Sequence, residues 1–501
     1  MNHTQAMIKI FFTGMVALLC SNWISAQQGL LKFADPLQSN MVVQQNKPFK
    51  IWGRAVAGQA VNIKADWLAN DIQVIAGKDS MFLGIIDVPG AKENDFTKHQ
   101  LSIESGGDKR VLDNLLIGDL WLCSGQSNMQ FSMKEIKDSA AENADTDYPN
   151  IRLFNAGLNF SATPIQNISG KWQESTLKSV LPFSAVGFNF GKELYKQLRI
   201  PIGLVFSGIG ASSAQAFVPE AVLAADTMLN RVYLQPYLSS DKSKEKIDGG
   251  FSFEKVTRPF LVLNALINPL ANLSIKGICW YQGESNRHER KSYTHLTQEM
   301  IKSWRQEFGQ GDLPFYYVQV APFFYDVPDS SAADYAFFRE AQENISQLNN
   351  TEMVVTMDVG ESRDLHPKNK KPIGIRLAKT ALNRTYGQLP VAYQGPRYAY
   401  LRIDRNQAII YFDNESVASG LQTNNGKAPL HFFVAGKDRK FYPANAAISG
   451  NTVIVSSSQV KQPVAVRYAF TNFPVTNLEN KEGLPVVPFR TDDWPEPPLK
   501  K

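Results

Sequence analysis

Ser127 stands in the stretch "WLCSGQSNMQ" (121–130), after Gly125 and Gln126 and before Asn128, directly behind the apolar run "VLDNLLIGDLWLC". A strand that ends in a glycine turn can present a serine hydroxyl as a nucleophile; a turn serine can equally spend its hydroxyl on its own backbone. As a nucleophile it needs a base to take its proton, a group to orient that base, and donors for the oxyanion that forms. Of the six histidines, His3 lies in an apolar leader, His99 and His431 fall in β-rich segments, and His288 and His295 are on or near a polar helix. His366 alone follows an apolar strand, in the proline-stopped loop "DLHP". It is the expected base, and Asp364, two residues earlier, is the carboxylate expected to select the imidazole tautomer. The backbone N–H groups of Ser127 and Gly210 and the side-chain amide of Gln282 are the expected oxyanion donors. Gln126, Asn128, Ser212, Glu284 and Asn286 share these loops and are read as substrate-binding positions. For Glu284 a structural hydrogen bond is the competing reading, because an exposed carboxylate would oppose the charge of the transition state.

These residues must be carried by elements that bring distant loops to one place. The middle of the chain supplies them: "LLIGDLWLCSG", "IPIGLVFSGIG", "SIKGICWYQGESN", "LPFYYVQVAPF" and "TEMVVTMDVGES" are apolar runs, each followed by a polar or glycine-rich loop. Amphipathic stretches such as "SYTHLTQEMIKSWRQEF" and "IGIRLAKTALNRTYG" lie between or after them. Strands alternating with helices predict a parallel sheet covered on both faces, with a site beyond the carboxyl ends of its strands. Residues 27–115 and 389–501 instead read as short β-rich runs separated by Gly, Asn, Pro and Asp, so an N-terminal β-sandwich and a C-terminal β domain are expected to flank an α/β domain at 116–388.

At 501 residues the chain is too long for one ordinary core. Its net charge of +5 is spread without a basic block, so nucleic acid is not an implied partner. Lys9 precedes the apolar run "IFFTGMVALLC", and "WISAQ" offers a small-residue cleavage site after Ala26. Residues 1–26 therefore read as a signal peptide, too short for a membrane span, and the protein as exported, periplasmic or secreted. Lipidation at Cys20 is the alternative, against which Leu18 and Leu19 are bulky where small residues are wanted. Cys123 and Cys279 remain in the mature chain and read either as a pair or as two buried thiols. No His-x-x-x-His pair, cysteine cluster, calcium loop, P-loop or dinucleotide fingerprint is present, and neither metal nor cofactor is expected.

The ordered set "GQSNM", a Gly/Ser loop, "WYQGESN" and "DLHP", with "MVVQQNKPFKIWGRAVAGQAV" before it and "VRYAFTNFPVTNLENKEGLPVVPFRTDDW" after it, resembles the SGNH hydrolases and specifically the sialate O-acetylesterase family. The resemblance implies a flavodoxin-like esterase domain that removes O-acetyl groups from sugars without a metal. It assigns Ser127 as nucleophile, His366 as base, and Ser127, the loop around Gly210 and Gln282 as the oxyanion hole. The chain departs from that pattern at Gly210-Ala211-Ser212, where the family has paired glycines before Thr or Ser. It departs again at Gln215 and Phe217, which replace an acid and a tryptophan. Where the superfamily places its acid, three residues before the histidine, stands Arg363, so a Ser–His dyad is the alternative to a triad through Asp364. Sialic acid is the family's named substrate, and acetylated plant polysaccharide of the xylan type is the alternative. A non-catalytic glycan-binding protein and a lipid esterase are the readings from other classes.

Overall fold

The computed structural model describes residues 30–137, 144–247, 252–325, 333–389 and 391–496. The segment 1–26 expected to be a signal peptide, Cys20 included, lies outside the described residues.

The N-terminal part is built of strands whose side chains alternate in and out. Along Met81–Ile86, Phe82 and Ile86 are buried while Leu83 and Ile85 face solvent. One sheet pairs Lys32–Phe33, Phe49–Arg54 and Met81–Ile86. The facing one pairs Ala60–Ala65 with Ile72–Ile75 and His99–Ser105. The two layers touch so closely that a Cβ on Gly84 would lie 2.2 Å from Ile63 Cδ1.

The central sheet starts inside this sandwich. Strands β1 (Val42–Gln44) and β2 (Asp108–Gly125) pair in parallel, and the first half of β2 also pairs antiparallel with His99–Ser105. β2 then runs on, without a break, into the α/β sheet. The boundary expected at 115/116 therefore falls inside one 18-residue strand, and no linker separates the two parts. The reason is visible in burial: of Asp108–Asn114 at the outer end of β2 Leu112 alone is buried, and from Leu115 onward every residue is buried.

The remaining sheet strands are β3 (Tyr148–Asn155), β4 (Trp172–Ser175), β5 (Ile202–Phe206), β6 (Gly277–Tyr281), β7 (Phe315–Val318) and β8 (Thr351–Val354). They lie in the order β4-β3-β5-β2-β6-β7-β8, parallel except for the edge strand β4. The parallel strands thus follow the order 2-3-1-4-5-6. This departs from the 2-1-3-4-5 order of a flavodoxin-like sheet, because β5 inserts between β3 and β2.

Successive residues of β2 feed opposite cores. Trp121 and Cys123 pack with Val186, Phe188 and Leu377, which belong to helices Ala185–Leu198 and Lys371–Arg384. Leu120 and Leu122 pack in the second core with Leu296, Met300 and Trp304 of helix Arg290–Phe308. Both faces of the sheet are covered, as a parallel sheet requires. Cys123 and Cys279 are opposite each other in register on β2 and β6, both buried and both free thiols.

The C-terminal part holds two four-stranded antiparallel sheets and a two-stranded one. It is fastened to helix Asp334–Glu343 and its neighbours by ion pairs, with Arg397 3.1 Å from Glu343 and 2.6 Å from Glu352. No helix among the described residues is long and apolar enough to cross a membrane.

Candidate active site

The carboxyl ends of β2, β5 and β6 and the loop after β8 meet at one edge of the sheet. β2 ends at Gly125 with φ +135°, where a Cβ would lie 2.2 Å from the Tyr281 carbonyl oxygen. Only glycine fits that turn. The turn lets Gln126 donate its N–H to Tyr281 O at 3.0 Å and starts a one-turn helix, α1 (Ser127–Gln130), on Ser127. Ser127 Oγ lies 2.8 Å from Nε2 of His366, although 239 residues separate them.

The His366 ring lies over Phe131 at 6.3 Å between centroids. Burial holds its pKa below the ordinary imidazole value and the nearby charge of Lys370 pushes the same way, while Asp364 and Glu135 oppose both. Ser127 and His366 open onto a cleft of about 380 Å³ walled by Gln130, Phe131, Lys134, Glu135 and Pro182. A larger cavity of about 660 Å³, lined by Pro164, Pro219, Leu263 and Trp304, contains neither of them. Among the described residues no three His, Cys, Asp or Glu side chains are grouped to hold a metal ion.

Asp364 does not take the expected place. Its Oδ1 accepts the backbone N–H of His366 at 2.9 Å and stands 3.8 Å from Nδ1, beyond hydrogen-bond reach. A carboxylate two residues before the histidine closes a local turn with the backbone more readily than it reaches round to the ring. Asp364→Asn, which keeps an acceptor for that backbone N–H, is therefore expected to lower kcat by no more than about tenfold on a soluble aryl acetate. A true triad aspartate would cost about 10⁴, and a loss of that size would restore Asp364 to the triad.

Gln282 is also corrected. Its side chain is fully buried, and its Nε2 donates to Ser212 O at 3.2 Å and to Asn286 Oδ1 at 2.7 Å. Both donor hydrogens are thereby spent, and its Oε1 accepts from the Tyr293 hydroxyl. A buried amide must be paired, and this one braces the loop after β5 instead of facing Ser127.

The five expected substrate-binding residues turn inward for the same reason. Gln126 Oε1 accepts the N–H groups of Gly283 and Ser285, and Ser212 Oγ donates to Ile209 O at 2.7 Å. Asn286 receives Ala214 N–H at 2.9 Å and donates to Gln215 and Glu289. Asn128 donates to Glu284 Oε1 at 2.6 Å, so Glu284 takes the structural reading; its buried carboxyl is held above the usual carboxylate range by desolvation. All five are buried.

Gly210 stands beside the nucleophile, where a Cβ would sit 3.6 Å from Ser127 Cβ. Its N–H donates at 2.7 Å to Oε1 of Gln130, a residue the sequence reading passed over. Gln130 stands three after Ser127, which on a helical turn puts both on one face. Lys370, four after His366, was passed over as well. Ala211, where the family pattern has glycine, adopts φ +62°, a left-handed conformation that costs an alanine about 1–2 kcal/mol. Phe217, where that pattern has tryptophan, is buried edge-on against Trp280.

Comparison with known proteins agrees with this architecture. A family profile described as carbohydrate esterase, sialic acid-specific acetylesterase, matches residues 252–383. The chain is 27% identical to the sialate O-acetylesterase of Rattus norvegicus across 95% of its own length and 97% of that protein. It is 24% identical to the Homo sapiens sialate O-acetylesterase across 93% and 94%. Among solved structures, a carbohydrate acetylesterase from Xanthomonas citri superposes with TM-score 0.81 at 31% identity, covering 92% of this chain and all of the other. With a shared fold and sequence likeness along nearly its whole length, the chain belongs to the sialate O-acetylesterase family of carbohydrate esterases.

Proposed function

We propose that this carbohydrate O-acetylesterase removes O-acetyl groups from sialic acids through an acetyl-enzyme on Ser127, with His366 as general base. The observation that carries the reading is the 2.8 Å contact between Ser127 Oγ and His366 Nε2 at the mouth of an open cleft. Ser127 Oγ attacks the acetyl carbonyl as Nε2 takes its proton. The tetrahedral intermediate collapses, the C–O bond to the sugar breaks, and the imidazolium returns the proton to the leaving oxygen. Water, deprotonated by the same imidazole, then releases acetate. The oxyanion is met by the backbone N–H of Ser127, which no carbonyl of its own helix can reach, and by that of Gly210. On Gly210 the acetyl carbonyl replaces the amide oxygen of Gln130, which otherwise occupies that donor.

Sialate as substrate is supported by the names of relatives that match over nearly the full chain. The cleft wall carries both Lys134, which attracts a sialate carboxylate, and Glu135, which repels it. Glu135 favours the second reading, a neutral xylan-type polysaccharide. Export is supported by the leader 1–26, and the N-terminal residue of the mature protein tests it. For the substrate, acetate release is compared on O-acetylated sialosides and acetylated xylan at matched acetyl concentration. The proposal expects the higher kcat/KM on sialosides, and the reverse order assigns the enzyme to neutral glycans.

A further inference from the structure

Lys370 is the last residue before helix Lys371–Arg384 and is completely buried. Its ammonium donates to Asn128 Oδ1 and lies 4.8 Å from the centre of the Phe131 ring and 5.6 Å from that of Tyr281. The amide of Asn128 also donates to Glu284 Oε1 at 2.6 Å and to the Leu365 carbonyl at 3.2 Å. One asparagine, adjacent to the nucleophile, is thus tied to the backbone of the residue adjacent to the base. Its orientation is not arbitrary. An ammonium can only donate and a backbone carbonyl can only accept, so Lys370 on one side and Leu365 on the other allow a single placing of oxygen and nitrogen.

Resting on the Ser127–His366 reading above, we propose that Lys370 is a positioning residue for deacetylation: by fixing Asn128 it sets the Ser127–His366 contact, and by its charge it keeps the imidazole in the proton-accepting form. An apolar side chain could fill the same space without the cost of desolvating an ammonium. The charged groups facing this position are Glu284 from the loop after β6, Asp364 and Glu361 from its own loop, and Glu135 from the segment after α1, with His366 beside it. Burial brings the ammonium down to about 7, opposed by those four carboxylates. In the acid range where His366 titrates, Lys370 is therefore protonated, and its charge depresses the imidazole.

The test measures kcat and KM against pH on a soluble aryl acetate for wild type, Lys370→Met and Lys370→Gln, with near-ultraviolet circular dichroism as the check on folding. Lys370→Met is expected to lose about 10–100-fold in kcat, the scale of a misplacement near 1 Å, with little change in KM. Its acid limb is expected to move to higher pH. Lys370→Gln keeps an N–H donor without the charge, so it should regain part of the kcat while its acid limb stays displaced. A folded Lys370→Met variant with the wild-type acid limb overturns the proposal, whether its kcat is retained or lost, since a merely structural lysine would not move that limb. Should neither variant fold, Asn128→Asp decides: it still accepts from Lys370 and cannot donate to Leu365, so kcat must fall, and an unchanged kcat overturns the proposal. Wild-type activity that Ser127→Ala leaves intact would instead remove the Ser127–His366 reading on which the inference stands.

Discussion

Ser127→Ala should release acetate from an aryl acetate about 10⁴–10⁶-fold more slowly than the wild-type enzyme, the usual consequence of losing the nucleophile of such a site. The substitution removes one oxygen from the wall of an open cleft and breaks no strand pairing, since Ser127 lies beyond the end of β2. Thermal unfolding should therefore stay within about 1 kcal/mol of wild type, as for most changes away from the core. Residual activity should not show a burst of phenol, because no acetyl-enzyme can accumulate. A Ser127→Ala enzyme that turns over at the wild-type rate would end the assignment of the nucleophile.

His366→Ala should be nearly as damaging, by about 10⁴–10⁶ in kcat, because nucleophile and base act as one unit and their losses are not additive. The double variant should be no worse than either single one. The wild-type pH profile carries a second expectation. The base works only when its imidazole is neutral, and both burial and Lys370 favour the neutral form. Activity should therefore rise through a limb that lies below the ordinary imidazole value of about 6.5 and be level above it. The measurement is kcat/KM against pH with a good leaving group. A limb at or above the ordinary value, or a profile with no limb between mildly acidic and neutral pH, would contradict the environment described for His366.

The pair at the centre was legible in the sequence because both residues sit where strand patterns end. Ser127 follows a buried run and a glycine turn, and His366 follows the last apolar strand in a loop stopped by Pro367. What the amides do was not legible. Gln282 and Asn286 have the donors that a site would use, and a one-dimensional reading places them on the right loops. Whether a polar side chain in such a loop faces the ligand or the neighbouring loop depends on packing from other parts of the chain: Asn286 is claimed by Ala214 and Gln215, and Gln282 by Ser212 and Tyr293. Burial then forces those pairings. The sheet order escaped for a related reason. Alternating strands and helices announce parallel pairing, but placing β5 between β3 and β2 is decided by which apolar faces fit together. Gln130 and Lys370 were hidden because their partners, Gly210 and Asn128, are remote in sequence.

The unbroken strand β2 makes the N-terminal sandwich a gauge for the chemistry. Each residue of a strand advances about 3.3 Å and faces the side opposite to the one before it. Pairings of β2 with His99–Ser105 and with Val42–Gln44 fix where along its axis the strand stops, and so where Gly125 hands the chain over to Ser127. A slip of one residue in either of those pairings would exchange the two faces of β2 and shift the serine by more than the length of its hydrogen bond to His366. A chain begun at Leu116 would keep every residue of the cleft and lose the ruler that measures out the nucleophile.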